Sequence, residues 1–244
     1  MKILFSLLLL AAQALPAAAA GAVGCVYDLD GQVSLRRAGS PDWVPAPKGA
    51  PFNEGDGLRT GPGTWCELLF KDGTYVKLEA DSETSAEQLK ADAGERSFSF
   101  SFLKGKALWM AAKLKWKARS TFSVRTPSAV CAVRGTDFTV IVSTDGAASV
   151  GLFEGKVAVS SGTAEKELHS GNEASAGAGG IAVQNRLSAL MKAEERRYAR
   201  VKGRVEKLRA RLREREGYID DYVAKQAKTL ADFEKRRREK LGKR

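Results

Sequence analysis

The chain has 244 residues, 28% charged and 43% hydrophobic, a composition that fits a soluble globular protein of one or two domains. Its formal net charge of +11 resides in one segment: residues 184–244 hold 21 Lys/Arg against 10 Asp/Glu, and the remainder is balanced. A single histidine, His169, excludes a multi-histidine metal centre. The sequence also has no Gly-x-Ser-x-Gly elbow, phosphate loop or dinucleotide fingerprint, which argues against the commonest catalytic frameworks.

In chain order, Met1-Lys2, the apolar run Ile3–Leu10, Pro16 and the alanines Ala17–Ala20 have the three parts of a secretory signal peptide, with cleavage expected after Ala20. The alternatives are an uncleaved anchor and a lipoprotein acylated at Cys25, although Ala22 stands where a lipobox has Leu. Export places the protein in the periplasm or cell envelope. In that oxidising compartment Cys25, Cys66 and Cys131 can form at most one internal bridge. Cys66 alternates with Leu68 and Phe70, and Cys131 with Ala129 and Val133, so both point inward. A Cys66–Cys131 disulfide and two buried packing thiols are equally weighted outcomes.

From Gly21 to Val183 the sequence reads as short strands divided by Gly, Asp and Pro turns. Cys25, Tyr27 and Leu29 alternate before Asp30-Gly31, and Val33 and Leu35 answer them. Trp65–Phe70 and Tyr75–Leu78 flank the turn Lys71-Asp72-Gly73-Thr74. In Ser97–Phe102 the phenylalanines fall on every second residue, which a strand gathers on one face and a helix scatters. Asp137–Ser143, Ala148–Phe153 and Lys156–Ser160 continue the pattern of an all-β domain, and only Ser82–Lys90 reads as a short helix. After the small-residue stretch Ala174–Gly180 the character changes. Residues 184–241 lack Pro and are rich in helix formers. Tyr198, Val201, Val205, Leu208, Leu212, Ile219 and Tyr222 form a heptad-like stripe, interrupted at Arg215. One continuous helix would reach roughly 90 Å, with Gly203 and Gly217 as the places for a bend or break.

An ordered set of motifs then carries a resemblance. Asn53-Glu54-Gly55-Asp56, Leu58-Arg59-Thr60-Gly61, Lys71-Asp72-Gly73-Thr74, Phe122–Pro127, Val133-Arg134-Gly135-Thr136-Asp137-Phe138 and Phe153-Glu154-Gly155-Lys156-Val157 together resemble the FecR domain. This is a periplasmic module of transmembrane sigma regulators and of free-standing exported proteins. Thr126-Pro127 followed by Val-Arg-Gly-Thr-x-Phe is the most specific part. The resemblance covers residues 21–183 and implies a twisted, solenoid- or sandwich-like β fold, recognition of a protein or ligand, and no catalysis. The leader, the basic tail and the lack of a following α/β subdomain depart from the regulator architecture and argue against sigma-factor regulation.

The organisation expected is therefore a leader at 1–20, a β domain at 21–183 and a helical tail at 184–244. Gly55, Asp56, Gly73, Gly135 and Gly155 are turn residues. Thr126-Pro127 holds an extended segment. Arg134, with Thr136 and Asp137, is the candidate recognition motif: its guanidinium either bonds carbonyls or Asp137 across the turn, or forms a fork for a carboxylate or phosphate. His169 reads as a surface strand residue. No cofactor, metal site or catalytic residue is expected. The partners expected are an envelope protein, a cell-wall or other anionic polymer or lipid headgroup, or a second copy joined through 184–241 as a coiled-coil scaffold. Nucleic acid is disfavoured by export.

Overall fold

The computed structural model describes residues 22–92, 95–113 and 119–241, so the expected leader lies outside the described residues. Among the described residues, seventeen strands precede two helices. The strands are β1 (Gly24–Asp30), β2 (Val33–Arg36), β3 (Trp43–Pro45), β4 (Pro51–Phe52), β5 (Gly57–Thr60), β6 (Trp65–Phe70), β7 (Tyr75–Leu78), β8 (Glu83–Asp92) and β9 (Glu95–Met110), followed by β10 (Arg119–Arg125), β11 (Val130–Val133), β12 (Asp137–Val142), β13 (Ala148–Glu154), β14 (Lys156–Ser161), β15 (Ala164–His169), β16 (Glu173–Gly177) and β17 (Gly180–Gln184). The helices are α1 (Ala189–Glu214) and α2 (Tyr218–Leu241).

The strands form two facing layers. The middle sheet runs β4-β1-β6-β7-β9-β12-β13-β16-β17 and is antiparallel throughout. The outer sheet runs β3-β2-β5-β8-β9-β10-β11-β14-β15, with only β9–β10 parallel. Strand β9 belongs to both. Its Glu95–Lys104 portion pairs β8 in the outer sheet, and Gly105–Met110 pairs β12 in the middle sheet. Long strands change sheets at a bend, and here the bend is Gly105, at φ +91°. A Cβ there would collide with Ser82. The Ser82 hydroxyl accepts from the Lys106 amide at 3.0 Å and donates to its carbonyl at 3.1 Å, closing the corner.

Between the layers lies an aromatic core. Phe98, Phe100 and Phe102 do share one face, and they meet Phe70, Trp109 and Phe122 at ring separations of 5.1–5.9 Å, with Phe138 stacked on Trp109 at 6.4 Å. The alternate residues Ser97 and Ser99 face out and bond Thr121 and Ser123 across the parallel pair. The middle sheet behaves differently, because its second face is apolar too. Cys25, Leu69, Tyr75, Leu108 and Met110 point away from the aromatic core and form a second one with Tyr198, Val205 and Leu208 of α1 and Ile219 of α2. The layers are therefore outer sheet, aromatic core, middle sheet, second core and helices.

Several expectations are corrected. The segment Ser82–Lys90 is not helical. It enters β8, where a register shift between Ala86 and Gln88 sets the inward residues Ala86 and Leu89 three apart and so imitates a helical step. A similar shift between Val26 and Asp28 turns Cys25 and Tyr27 toward the helices and Leu29 toward the aromatic core. The tail is two helices. It passes straight through Gly203 and breaks at Gly217, φ +82°, after Arg215 takes an extended conformation. Its stripe is not a free coiled-coil seam, because those side chains lie on the middle sheet. All three cysteines are free and buried. No bridge joins Cys66 and Cys131, whose strands lie in facing sheets on either side of the aromatic core. Cys25 is fully buried beneath the helices, and desolvation pushes its thiol up to about 12.

Gly105→Ala tests the corner. It imposes both a left-handed backbone on a residue with a Cβ and a clash with Ser82, and it should lower unfolding free energy in urea by at least about 2 kcal/mol.

Candidate functional site

Three turns of the β domain and the end of β9 collect at one rim of the middle sheet. These are Lys71–Thr74 between β6 and β7, Arg134–Thr136 before β12, and Glu154-Gly155 after β13. Gly73, Gly135 and Gly155 all have positive φ, which permits tight reversals. A Cβ on Gly155 would run into Thr136, so the second and third turns interlock. Helix α1 crosses above this rim and leaves a groove of about 510 Å³, with Gly73, Lys113, Asp137 and Glu154 on the sheet side and Lys202, Arg209 and Arg213 on the helix side. Farther along the same seam a cavity of about 220 Å³ lies beneath Arg197 and Arg200. Thr139 lines it, and the buried Thr139 hydroxyl has no partner among the described residues.

Helix α1 begins at Ser188, whose hydroxyl caps the Met191 amide and whose own amide donates to Glu173 at 2.7 Å. Met191 then sits against Gly151, where a Cβ would stand 2.7 Å from its sulfur. Polar contacts follow along the helix. Glu194 receives Lys106 at 2.9 Å and Arg197 at 2.7 Å. Arg204 grips the buried Glu67 carboxylate with two bonds of 2.7 and 2.5 Å and reaches the Tyr75 hydroxyl at 3.1 Å. Arg209 donates to the carbonyls of Gly73 at 3.0 Å and Met110 at 2.9 Å. After the break, Tyr222 bonds the Tyr27 carbonyl and Lys71 pairs with Asp220 at 2.8 Å. The helix is thus fixed to the sheet by apolar burial and by charge-assisted bonds to groups water cannot reach.

The electrostatic centre of the groove is Tyr198. Its hydroxyl lies 2.9 Å from Asp137 and 3.0 Å from Glu154, one proton between two carboxylates. The two acids have opposite environments. Burial raises the Asp137 pKa, against the hydrogen bond from Tyr198 and the charge of Arg209. Glu154 is held down to about 2, first by its bond from Lys113 and then by that from Lys202, which lies at 2.7 Å. Burial, and then the negative charge of Asp137, push the Tyr198 phenol up.

The candidate residues named from sequence do not form one site. Asp137 lines the groove and is buried, and Thr136 is buried in the turn against Gly155. Arg134 points outward and is exposed, with no hydrogen bond or ion pair among the described residues, so the bond across the turn to Asp137 is replaced by that from Tyr198. Thr126 and Pro127 lie at the opposite end of β11, in a turn closed by Thr126 bonding both the amide and the carbonyl of Ala129. Gly55 and Asp56 stand apart again. The buried Asp56 carboxylate fastens Arg37, Ala38 and Asn53 at 2.8–3.0 Å. His169 is exposed at the end of β15, 3.4 Å from Glu167. No cluster of three or more metal-ligating side chains occurs among the described residues. Tyr198, Lys202, Arg204, Arg209 and Glu67 were not legible as site residues. The one signal was the pair of tyrosines, Tyr198 and Tyr222, that bring polar tips to the ends of an aliphatic stripe.

The family model described as FecR protein matches residues 56–158, from Asp56 through Ala158, and so includes all three turns beneath α1. The chain carries a FecR domain. No curated protein matches the sequence. Two crystal structures of a candidate anti-sigma factor from Parabacteroides distasonis ATCC 8503, at 1.65 and 2.50 Å, are each 21% identical with a TM-score of 0.44. Each match covers 53% of this chain, which spans 59% of the length of that protein.

Two measurements probe the seam. Arg204→Met leaves the Glu67 carboxylate buried without its bidentate partner, with Lys77 at 3.7 Å and the Tyr75 hydroxyl beside it, and should destabilise the fold by roughly 3 kcal/mol in chemical denaturation. Adding Glu67→Leu to the same chain should recover most of that loss. The second measurement is a series of thermal melts between pH 7 and pH 2. A carboxylate whose folded pKa is depressed stabilises the fold above its ordinary value and loses that contribution as pH falls through the folded one. For Glu154 the window runs from 4.5 down to about 2, so Glu154→Gln should flatten the acid side of the profile there. Asp137 acts in the opposite sense: its raised pKa favours the fold at low pH, and that contribution fades as pH rises through the folded value.

Proposed function

We propose that this chain is a non-catalytic recognition protein of the cell envelope, exported by its leader, in which the FecR domain senses or binds a protein or ligand and the docked tail helix forms one wall of the binding groove. The observation that carries this reading is the gathering of three FecR motif turns under α1. Groups that serve only as turns need not share a rim with a groove lined by Lys113, Lys202 and Arg213. The alternation of hairpins between the two sheets supports reading the β part as a solenoid-like winding. The engagement of Tyr198, Val205 and Leu208 with the middle sheet speaks against a scaffold assembled by a coiled coil through 184–241, since docked side chains are not available to a second copy.

Site-specific photo-crosslinking in the producing cell tests the proposal. A crosslinker replacing Arg213, exposed at the groove, should give a discrete adduct in the envelope fraction, and one replacing Lys166, exposed on β15 of the far sheet, should not. No adduct from Arg213, or the same adduct from both positions, counts against recognition at the groove.

A further inference from the structure

Helix α2 outruns the domain it packs on. Ile219, Tyr222 and Val223 face β1, and Gln226 rests against Gly49, where an added Cβ would meet its side chain. From Ala227 to Lys240 every residue is exposed. This stretch extends roughly 20 Å at 1.5 Å per residue. The stripe does not stop where the domain does. At the same steps of three and four it continues through Leu230 and Phe233, which are 42% and 63% exposed with nothing of the domain beneath them. A helical segment this short draws its stability from packing, not from propensity alone. Residues 225–240 also hold seven Lys/Arg against three Asp/Glu. Arg236, Arg237 and Lys240 surround Phe233 in a shallow, largely apolar recess.

We infer that the projecting end of α2 is a docking surface for an anionic phospholipid bilayer, with Leu230 and Phe233 entering the headgroup boundary and the flanking cations holding the phosphates. A basic helix with a narrow apolar face is suited to lie in that interface. A second copy is a poor occupant, since pairing two such segments brings net positive charge against net positive charge. An acidic protein would satisfy the charge. Arg236, Arg237 and Lys240, however, cluster about Phe233 itself, so apolar and cationic groups present to one surface together, as a headgroup layer over an acyl boundary accommodates and long basic stems permit. The inference rests on the envelope location proposed above only for the lipid the protein would meet.

Co-sedimentation of the purified full chain with vesicles reads the contact directly and independently of the groove. Vesicles of phosphatidylcholine with about 30% phosphatidylglycerol should retain at least about ten times more protein than pure phosphatidylcholine, and about 0.5 M salt should remove most of that difference. Leu230→Ser/Phe233→Ser, at exposed positions that leave the fold and its melting unchanged, should reduce retention several-fold. Arg236→Glu/Arg237→Glu should abolish the preference for the anionic lipid. Equal retention on both vesicles, or retention unaffected by Leu230→Ser/Phe233→Ser, would overturn the inference. So would displacement of the protein from anionic vesicles by a polyglutamate peptide at concentrations well below that of lipid, which would assign the surface to an acidic protein.

Discussion

Leu69, Tyr75, Leu108 and Met110 sit on strands whose other residues already fill the aromatic core, so the middle sheet has no polar face to offer water. A sheet buried on both sides needs a cover on each. The outer sheet supplies one, and the tail supplies the other. Everything distinctive about the protein follows from that requirement: the position of α1, the fate of the tail stripe, the burial of Cys25, and the existence of a seam where charged groups meet away from solvent.

The seam is stable because its charges are matched in place. Glu67 would be costly on its own, and Arg204 meets both of its oxygens. Arg209 satisfies two carbonyls that the turn at Gly73 and the end of β9 leave pointing upward. Around Tyr198 the matching is looser, with one hydroxyl serving two acids whose pKa values are driven in opposite directions. Unequal carboxylates and a lysine pair meet there beside the open groove. The same region lies inside the stretch matched by the FecR model, whereas the helices that roof it lie outside that stretch.

Much of the β architecture was legible in the sequence, for a simple reason. A period of two survives in Cys66-Leu68-Phe70 and Phe98-Phe100-Phe102 because one face of those strands meets a single continuous core. The reading failed where the backbone inserts a residue. At Ala86–Gln88 and Val26–Asp28 the register shifts disguised one strand as a helix and reversed part of another. The tail was legible as helix but not as a docked layer, because a stripe of Val, Leu and Tyr has the same spacing whether it meets another helix or a sheet. The groove was the least legible. Its polar groups come from β6–β7, β12, β13 and α1, distant in sequence, and the charged positions of α1 look in one dimension like the solvated side of an amphipathic helix. Arg134, the most conspicuous side chain by motif, proved to be outside the network, and Tyr198, counted as apolar, proved central to it.

The single strand β9 has a mechanical consequence. Its first part, with Phe98 to Phe102, holds the layer farthest from the helices, and its last residues, Leu108 and Met110, lie directly under them. No flexible connector separates the two, only the tight bend at Gly105. Strand β9 is therefore a covalent tie between the outer sheet and the sheet that carries the helices, so the two layers cannot separate without straightening its bend.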